Sequence, residues 1–129
     1  MNTLASVPRQ SRAEVDFLRH ELRTPVIHIV GYTELLMESA EESGRLDLMS
    51  LLADIRKRGK SLLHAVSTVP TPLSEMSRLR ELIAPKLDAI LSSLDEVEDH
   101  AISLDCPPFF LDIARIRSAS ERLRVIVRA

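Results

Sequence analysis

The 129 residues hold only three glycines, Gly31, Gly44 and Gly59. Tight hairpin turns consume glycine because they need positive φ. So few of them exclude an all-β or doubly wound fold and favour long helices joined by short loops. No G-x-G-x-x-G can be written, so a dinucleotide fold has no fingerprint. Gly59-Lys60-Ser61 mimics the end of a phosphate-binding loop, but Asp54 stands where that loop needs its first glycine, and the stretch reads as helical surface. Cys106 is the lone cysteine, which excludes an internal disulfide or a cysteine-rich zinc site and reads as a small apolar filler near a loop. The four histidines, His20, His28, His64 and His100, lack metal-ligand spacing, so no metal and no cofactor is expected. Aromatic residues make up 3% and the net charge is −2, which argues against a nucleic-acid binder. No apolar run approaches the roughly 20 residues of a membrane helix, and the N-terminus does not resemble a signal peptide. The expectation is a soluble, cytoplasmic domain with neither nucleic acid nor membrane as partner.

What the chain does have is apolar periodicity, in a composition 45% hydrophobic and 28% charged. Val15, Leu18, Leu22, Val26, Ile29, Thr33 and Leu36 recur at three- and four-residue steps, predicting a helix over about 11–42 that Gly44 caps. A second helix over about 46–69 uses Leu48, Leu51, Leu52, Ile55, Leu62, Leu63 and Val66. Pro70-Thr71-Pro72 breaks helix. A third helix over about 73–104 uses Leu79, Leu82, Leu87, Ile90, Leu91, Leu94 and Val97. Asp105-Cys106-Pro107-Pro108 stops and restarts it, proline suiting a first helical turn. The fourth helix, from about Phe109, still shows Leu123, Ile126 and Val127 near the end of the sequence, a pattern expected of a piece of a longer protein.

The four helices read as one hairpin written twice, 11–69 and 73–129. A shift of 60 residues aligns Glu21 with Glu81, Leu22 with Leu82 and Pro25 with Pro85. A shift of 61 aligns the second arms, Ile55 with Ile116 and Leu62 with Leu123, as if the second loop held one extra residue. The expected fold is all-α: an antiparallel four-helix bundle made of two tandem hairpins within one chain, because a lone hairpin leaves its apolar stripe uncovered.

The segment Phe17-Leu18-Arg19-His20-Glu21-Leu22-Arg23-Thr24-Pro25, followed by Ile29, Gly31-Tyr32 and Glu34-Leu35-Leu36, carries the chemistry. With Leu18 and Leu22 inward, His20 lies about 200° around from each, on the outer face. An exposed neutral imidazole is a nucleophile. Glu21 can take its other ring proton, and Thr24 stands one turn on, where a hydroxyl could position water or a phosphate oxygen. Pro25 removes a backbone donor and should loosen the turn beside His20. The other histidines read as structural: His28, between Ile27 and Ile29, as partly buried, and His64 and His100 as surface or loop-proximal.

This stretch resembles the phospho-acceptor box of the dimerisation and histidine-phosphotransfer domain of two-component sensor histidine kinases. The likeness covers roughly residues 13–68, continuing through Ile55, Gly59, Leu62 and Leu63. The resemblance implies His20 as phospho-acceptor, Glu21 as acid/base, Thr24 as a phosphatase-assisting residue, and a receiver domain or a kinase in trans as partner. Two departures stand out. The family's glycine-rich ATP-binding boxes are missing from this chain, so its phosphate must come from elsewhere. The 60-residue shift also sets Arg80 against His20 and Ala84 against Thr24, so the second hairpin has no nucleophile and reads as structural. The expected assembly is therefore a monomeric pseudo-dimer with one competent histidine.

With both hairpin tips at one end, the His20 end would hold 16 basic residues against nine acidic, +7, and the tip end Arg45 against ten acidic, −9. Such a surround, Arg19 and Arg23 included, would attract phosphate and an acidic receiver. A rival reading keeps the fold and drops the chemistry: a degenerate bundle that serves as an interaction or regulatory domain for a downstream effector.

Overall fold

The computed structural model describes residues 9–68 and 76–128. Four helices follow one another: α1 (Arg9–Glu42), α2 (Leu46–Ser67), α3 (Met76–Ala101) and α4 (Pro107–Arg128). α1, with 34 residues, is about 50 Å long. Its helical assignment runs through Pro25 without a break. The Pro70-Thr71-Pro72 break and the expected start of α3 at 73 lie outside the described residues. α3 ends at Ala101, three residues before the expected Leu104, and α4 begins earlier than expected, on Pro107. Proline fits there because a first-turn N–H has no intrahelical acceptor to lose.

Helix ends are set by local chemistry. Gly44 takes φ +67, its N–H donates to Glu41 O at 3.1 Å, and the Arg45 N–H donates to Ala40 O at 2.9 Å. This is a Schellman closure, for which glycine avoids the Cβ penalty. Asp47 sits in the first turn of α2, where a carboxylate meets unpaired N–H groups.

Each helix packs on two others: α1 and α3 each touch both α2 and α4. α1 and α3 therefore occupy one diagonal of a square, and α2 and α4 the other. One continuous apolar core runs through all four helices. Two hydroxyls lie inside it, each donating back along its own helix: Thr33 Oγ1 to Ile29 O at 2.6 Å and Ser120 Oγ to Ile116 O at 2.8 Å. These bonds remove the cost of burying an unsatisfied donor.

Burial corrects the repeat. One separation of 61 residues holds throughout: Leu22 with Ile83, Val26 with Leu87, Ile29 with Ile90, Leu36 with Val97 and Ala40 with Ala101 are all buried. So are Leu48 with Phe109, Leu52 with Ile113, Ile55 with Ile116, Leu62 with Leu123 and Val66 with Val127. The shift of 60 pairs buried Leu22 with Leu82, which is 47% exposed, and buried Pro25 with exposed Pro85. One residue turns a helix by about 100°, enough to carry a side chain out of the core. No extra loop residue is needed. Glu81, not Arg80, stands where His20 does, and Pro85, not Ala84, where Thr24 does. Arg80 instead donates from Nε to Val127 O, tying the start of α3 to the end of α4.

Arg45 fastens the two tips together. Its guanidinium donates to His100 O at 2.6 Å and Ser103 Oγ at 3.4 Å across the bundle, and twice to Asp47, at 3.0 and 2.9 Å. Both hairpin loops therefore lie at one end, with His20 toward the other. The hydrogen bonds from Arg45 hold the Asp47 carboxyl down at about 2, helped by backbone N–H donors. A depressed carboxyl pKa stabilises the folded form above the ordinary value near 3.8, and that contribution is lost as pH falls through about 2. In Arg45→Met, Asp47 should titrate closer to the ordinary value. Carboxyl-carbon NMR reads this directly, and an Asp47 still titrating near 2 in the variant would contradict the assignment of cause.

Candidate functional site

The outer face of α1 begins from its core face. Leu22, Val26 and Ile29 are buried and Leu18 is half-buried, so the helical period turns His20 to solvent, and it is exposed. Thr24, one turn on, is half-buried and its Oγ1 donates to His20 O at 3.0 Å. Pro25 offers no N–H to the carbonyl of Glu21, four residues back, so this turn has one backbone hydrogen bond fewer. Glu21 is half-buried and lies about 100° around the helix from His20. No hydrogen bond joins the His20 ring to Glu21 or Thr24 among the described residues. Free access to the imidazole, a hydroxyl one turn away and a carboxylate next in sequence make up the chemical inventory.

The two flanking arginines differ. Arg19 is half-buried and meets Asp16 at 3.7 Å. Arg23 is exposed, one turn from His20, and makes no ion pair among the described residues.

α2 adds more cations along the same side. Gly59 marks the close approach of the two helices: a Cβ there would lie 2.9 Å from Val30 Cγ2 and 3.7 Å from Ile29 Cγ2. The stretch Gly59-Lys60-Ser61 is helical as expected, but Gly59 itself is buried between helices instead of on the surface. From that crossing α2 runs back toward the His20 end, bringing Lys60 level with about His28 and His64 level with about Thr24. Arg56, Lys57 and Lys60 carry no ion pair among the described residues.

Three arginines of α4 are engaged. Arg117 meets Asp95 at 2.7 Å and Glu98 at 3.3 Å, and Arg124 meets Asp88 at 2.8 Å. Arg115 meets Asp112 at 3.0 Å. Because Arg117 reaches acids counted with the tips, the division into a +7 end and a −9 end is less sharp than the sequence implied. Among the described residues Arg23, Arg56, Lys57 and Lys60 put cations without an ion pair on α1 and α2, and Lys86 on α3 and Arg122 on α4 have none either.

The remaining histidines are exposed, His28 among them, contrary to the expectation of partial burial. Its ring lies 6.1 Å from that of Tyr32, over which the Arg115 guanidinium sits at 5.4 Å. Ile27 is exposed too, so an apolar neighbour in sequence misplaced His28. Sequence reasoning also missed Ile83 as a core residue and Glu81 as the counterpart of His20. The 61-residue burial register, applied to both arms, would have found each.

No protein-family model, curated protein or solved structure matches the chain. No helix among the described residues is long and apolar enough to cross a membrane.

Proposed function

We propose that this chain is a histidine phosphotransfer module of the two-component signalling type, with His20 as the residue that carries phosphate. The observation that supports it most is the exposed His20 with Thr24 one turn on, beside cations that no carboxylate neutralises among the described residues. The resemblance of residues 13–68 to a phospho-acceptor hairpin points the same way.

In the forward step the unprotonated ring nitrogen of His20 attacks the phosphorus of an aspartyl phosphate on a receiver domain. The P–O bond to the aspartate breaks, a P–N bond forms, and the other ring nitrogen releases its proton to Glu21 or water. The reverse step returns the group to the aspartate; a kinase in trans is the other possible donor. For Thr24 to position a hydrolytic water, its hydroxyl must leave the His20 carbonyl by rotating about χ1. Arg23, Lys57 and Lys60 supply the positive field that draws an acidic partner. The two hairpins take the place of two subunits, so the working species is one chain.

Transfer is tested by mixing the purified chain with phosphorylated receivers or active histidine kinases bearing labelled phosphate. Label that is lost in acid and kept in base, at one group per chain, supports the reading. No such label from any donor would overturn it. A second reading, a docking bundle that takes no phosphate, is favoured by the exposed apolar residues of α1 and α4; it predicts partner binding with no label.

A further inference from the structure

The end of the bundle away from His20 presents two large apolar side chains to solvent. Leu46, the first residue of α2, is 80% exposed, and Ile102, the residue after α3, is 81% exposed. No other large apolar side chain among the described residues is exposed to that degree. Neither belongs to the core or packs against it. The turns do not use them either: Gly44 and Arg45 close the first, and the Leu104 N–H, donating to Ala101 O at 2.8 Å, closes the second. Both hairpin loops lie at this end, so α2 begins where α3 ends, and these two helices are in contact. Leu46 and Ile102 therefore share one edge of the tip. Arg45 joins them. It precedes Leu46 in the chain, and its guanidinium holds the His100 carbonyl and the Ser103 hydroxyl, on either side of Ile102. The edge is thus set as one platform before anything binds, which lowers the entropy cost of docking.

The internal repeat supplies a comparison. On the opposite edge of the tip, where α4 begins and α1 ends, the 61-residue register sets Pro107 for Leu46 and Glu41 for Ile102. Both hairpins close on the same backbone plan, yet only the α2/α3 edge carries a pair of large apolar side chains. Closing the bundle does not require them.

Charge selects the occupant. Residues 24–55 hold Arg45 as their one lysine or arginine, and residues 87–114 hold none. Arg45 is already paired with Asp47. Glu42, Glu96, Asp99 and Asp105 are exposed at this end and carry no ion pair among the described residues. An anionic lipid surface or a nucleic acid would meet like charge here, whereas lysine and arginine side chains would be drawn in. We infer that the α2/α3 edge of the tip docks a second protein through a short basic segment, whose large apolar side chains cover Leu46 and Ile102 while its lysines or arginines face the surrounding carboxylates. The tip lies about 30 Å from His20 along α1. One chain can therefore hold this partner and exchange phosphate at His20 at the same time, and the inference does not depend on the phosphotransfer reading.

The test uses the full chain and two synthetic peptides of equal length, one of leucine and lysine patterned as an amphipathic helix, the other with glutamate in place of lysine. Fluorescence anisotropy measures affinity and backbone-amide NMR locates the contact. The lysine peptide should shift the amides of Leu46, Ile102 and their neighbours, and the glutamate peptide should bind more weakly by about tenfold or more. Leu46→Ser combined with Ile102→Ser should weaken the lysine peptide by about tenfold or more, with the melting temperature unchanged because neither side chain is in the core. Asp99→Asn combined with Asp105→Asn should weaken it as well and flatten its salt dependence. Phe17→Ser combined with Val125→Ser, which removes exposed apolar side chains of α1 and α4, should leave affinity within about twofold. A lysine peptide that fails to bind, that shifts amides elsewhere, or that loses as much to the Phe17 and Val125 changes overturns the docking edge and leaves phosphotransfer standing. A chain that doubles its mass by light scattering, with the Leu46 and Ile102 changes restoring the monomer, makes the occupant a second copy and overturns the inference too.

Discussion

His20→Gln is expected to lose all acid-labile label while melting at the temperature of the wild-type protein. Glutamine keeps a polar, helix-compatible side chain but has no nitrogen lone pair basic enough to attack phosphorus. Because His20 is exposed and its ring makes no hydrogen bond among the described residues, the change should cost within about 0.5 kcal/mol of stability. His28→Gln and His64→Gln, also exposed, are the controls: each should keep most of the label. Stoichiometry adds a second check. Glu81 occupies the matching position in α3, so wild type should saturate at one phosphoryl group per chain. Label surviving in His20→Gln would move the acceptor elsewhere and remove the reason for reading this face as a site.

Phe109→Ala should have the largest effect on stability. Phe109 lies at the start of α4, is 1% exposed, and is the bulkiest of the fully buried side chains. Its ring meets Phe110 edge to face, with centroids 6.0 Å apart and planes at 76°. Truncating a buried phenylalanine typically costs about 3–5 kcal/mol, the cavity adding to the lost transfer energy. Single domains are stable by only about 5–15 kcal/mol, so a third or more of the margin goes. At this chain length the melting temperature should fall by roughly 10–20 °C, measurable by thermal circular dichroism. Phe110→Ala, half-buried beside it, should cost distinctly less. Equal losses would mean that the ring pair, and not burial, sets the cost.

The helical class and the bundle could be read directly, because sparse glycine and three-four periodicity are local properties that tertiary packing seldom overrides over such lengths. Gly44 was legible as a cap for the same reason. The register of the repeat was not. Pro25 and Pro85 are conspicuous in any alignment, and matching them shifted α3 by one residue. In that shift Leu82 stands in for Ile83, and both are good core residues by type. Sequence cannot choose between them, since neighbouring leucine and isoleucine differ only in which way the helix turns them. His28 failed for a related reason: flanking isoleucines suggest a buried stretch, yet only Ile29 points inward. His20 was placed correctly because the residues two before and two after it both belong to the stripe. The α2 cations without an ion pair among the described residues needed the structure, because which arginines meet carboxylates depends on neighbouring helices.

The joining of two hairpins in one chain has a consequence for how such a surface changes over time. In a symmetric pair of identical chains every substitution appears twice, so an improvement on one flank is imposed on the other. Here Leu35 and Glu96, or Phe17 and Arg78, occupy matched sites and are inherited separately. A change on one flank leaves the other as it was, so the two can come to carry different chemistry on one backbone.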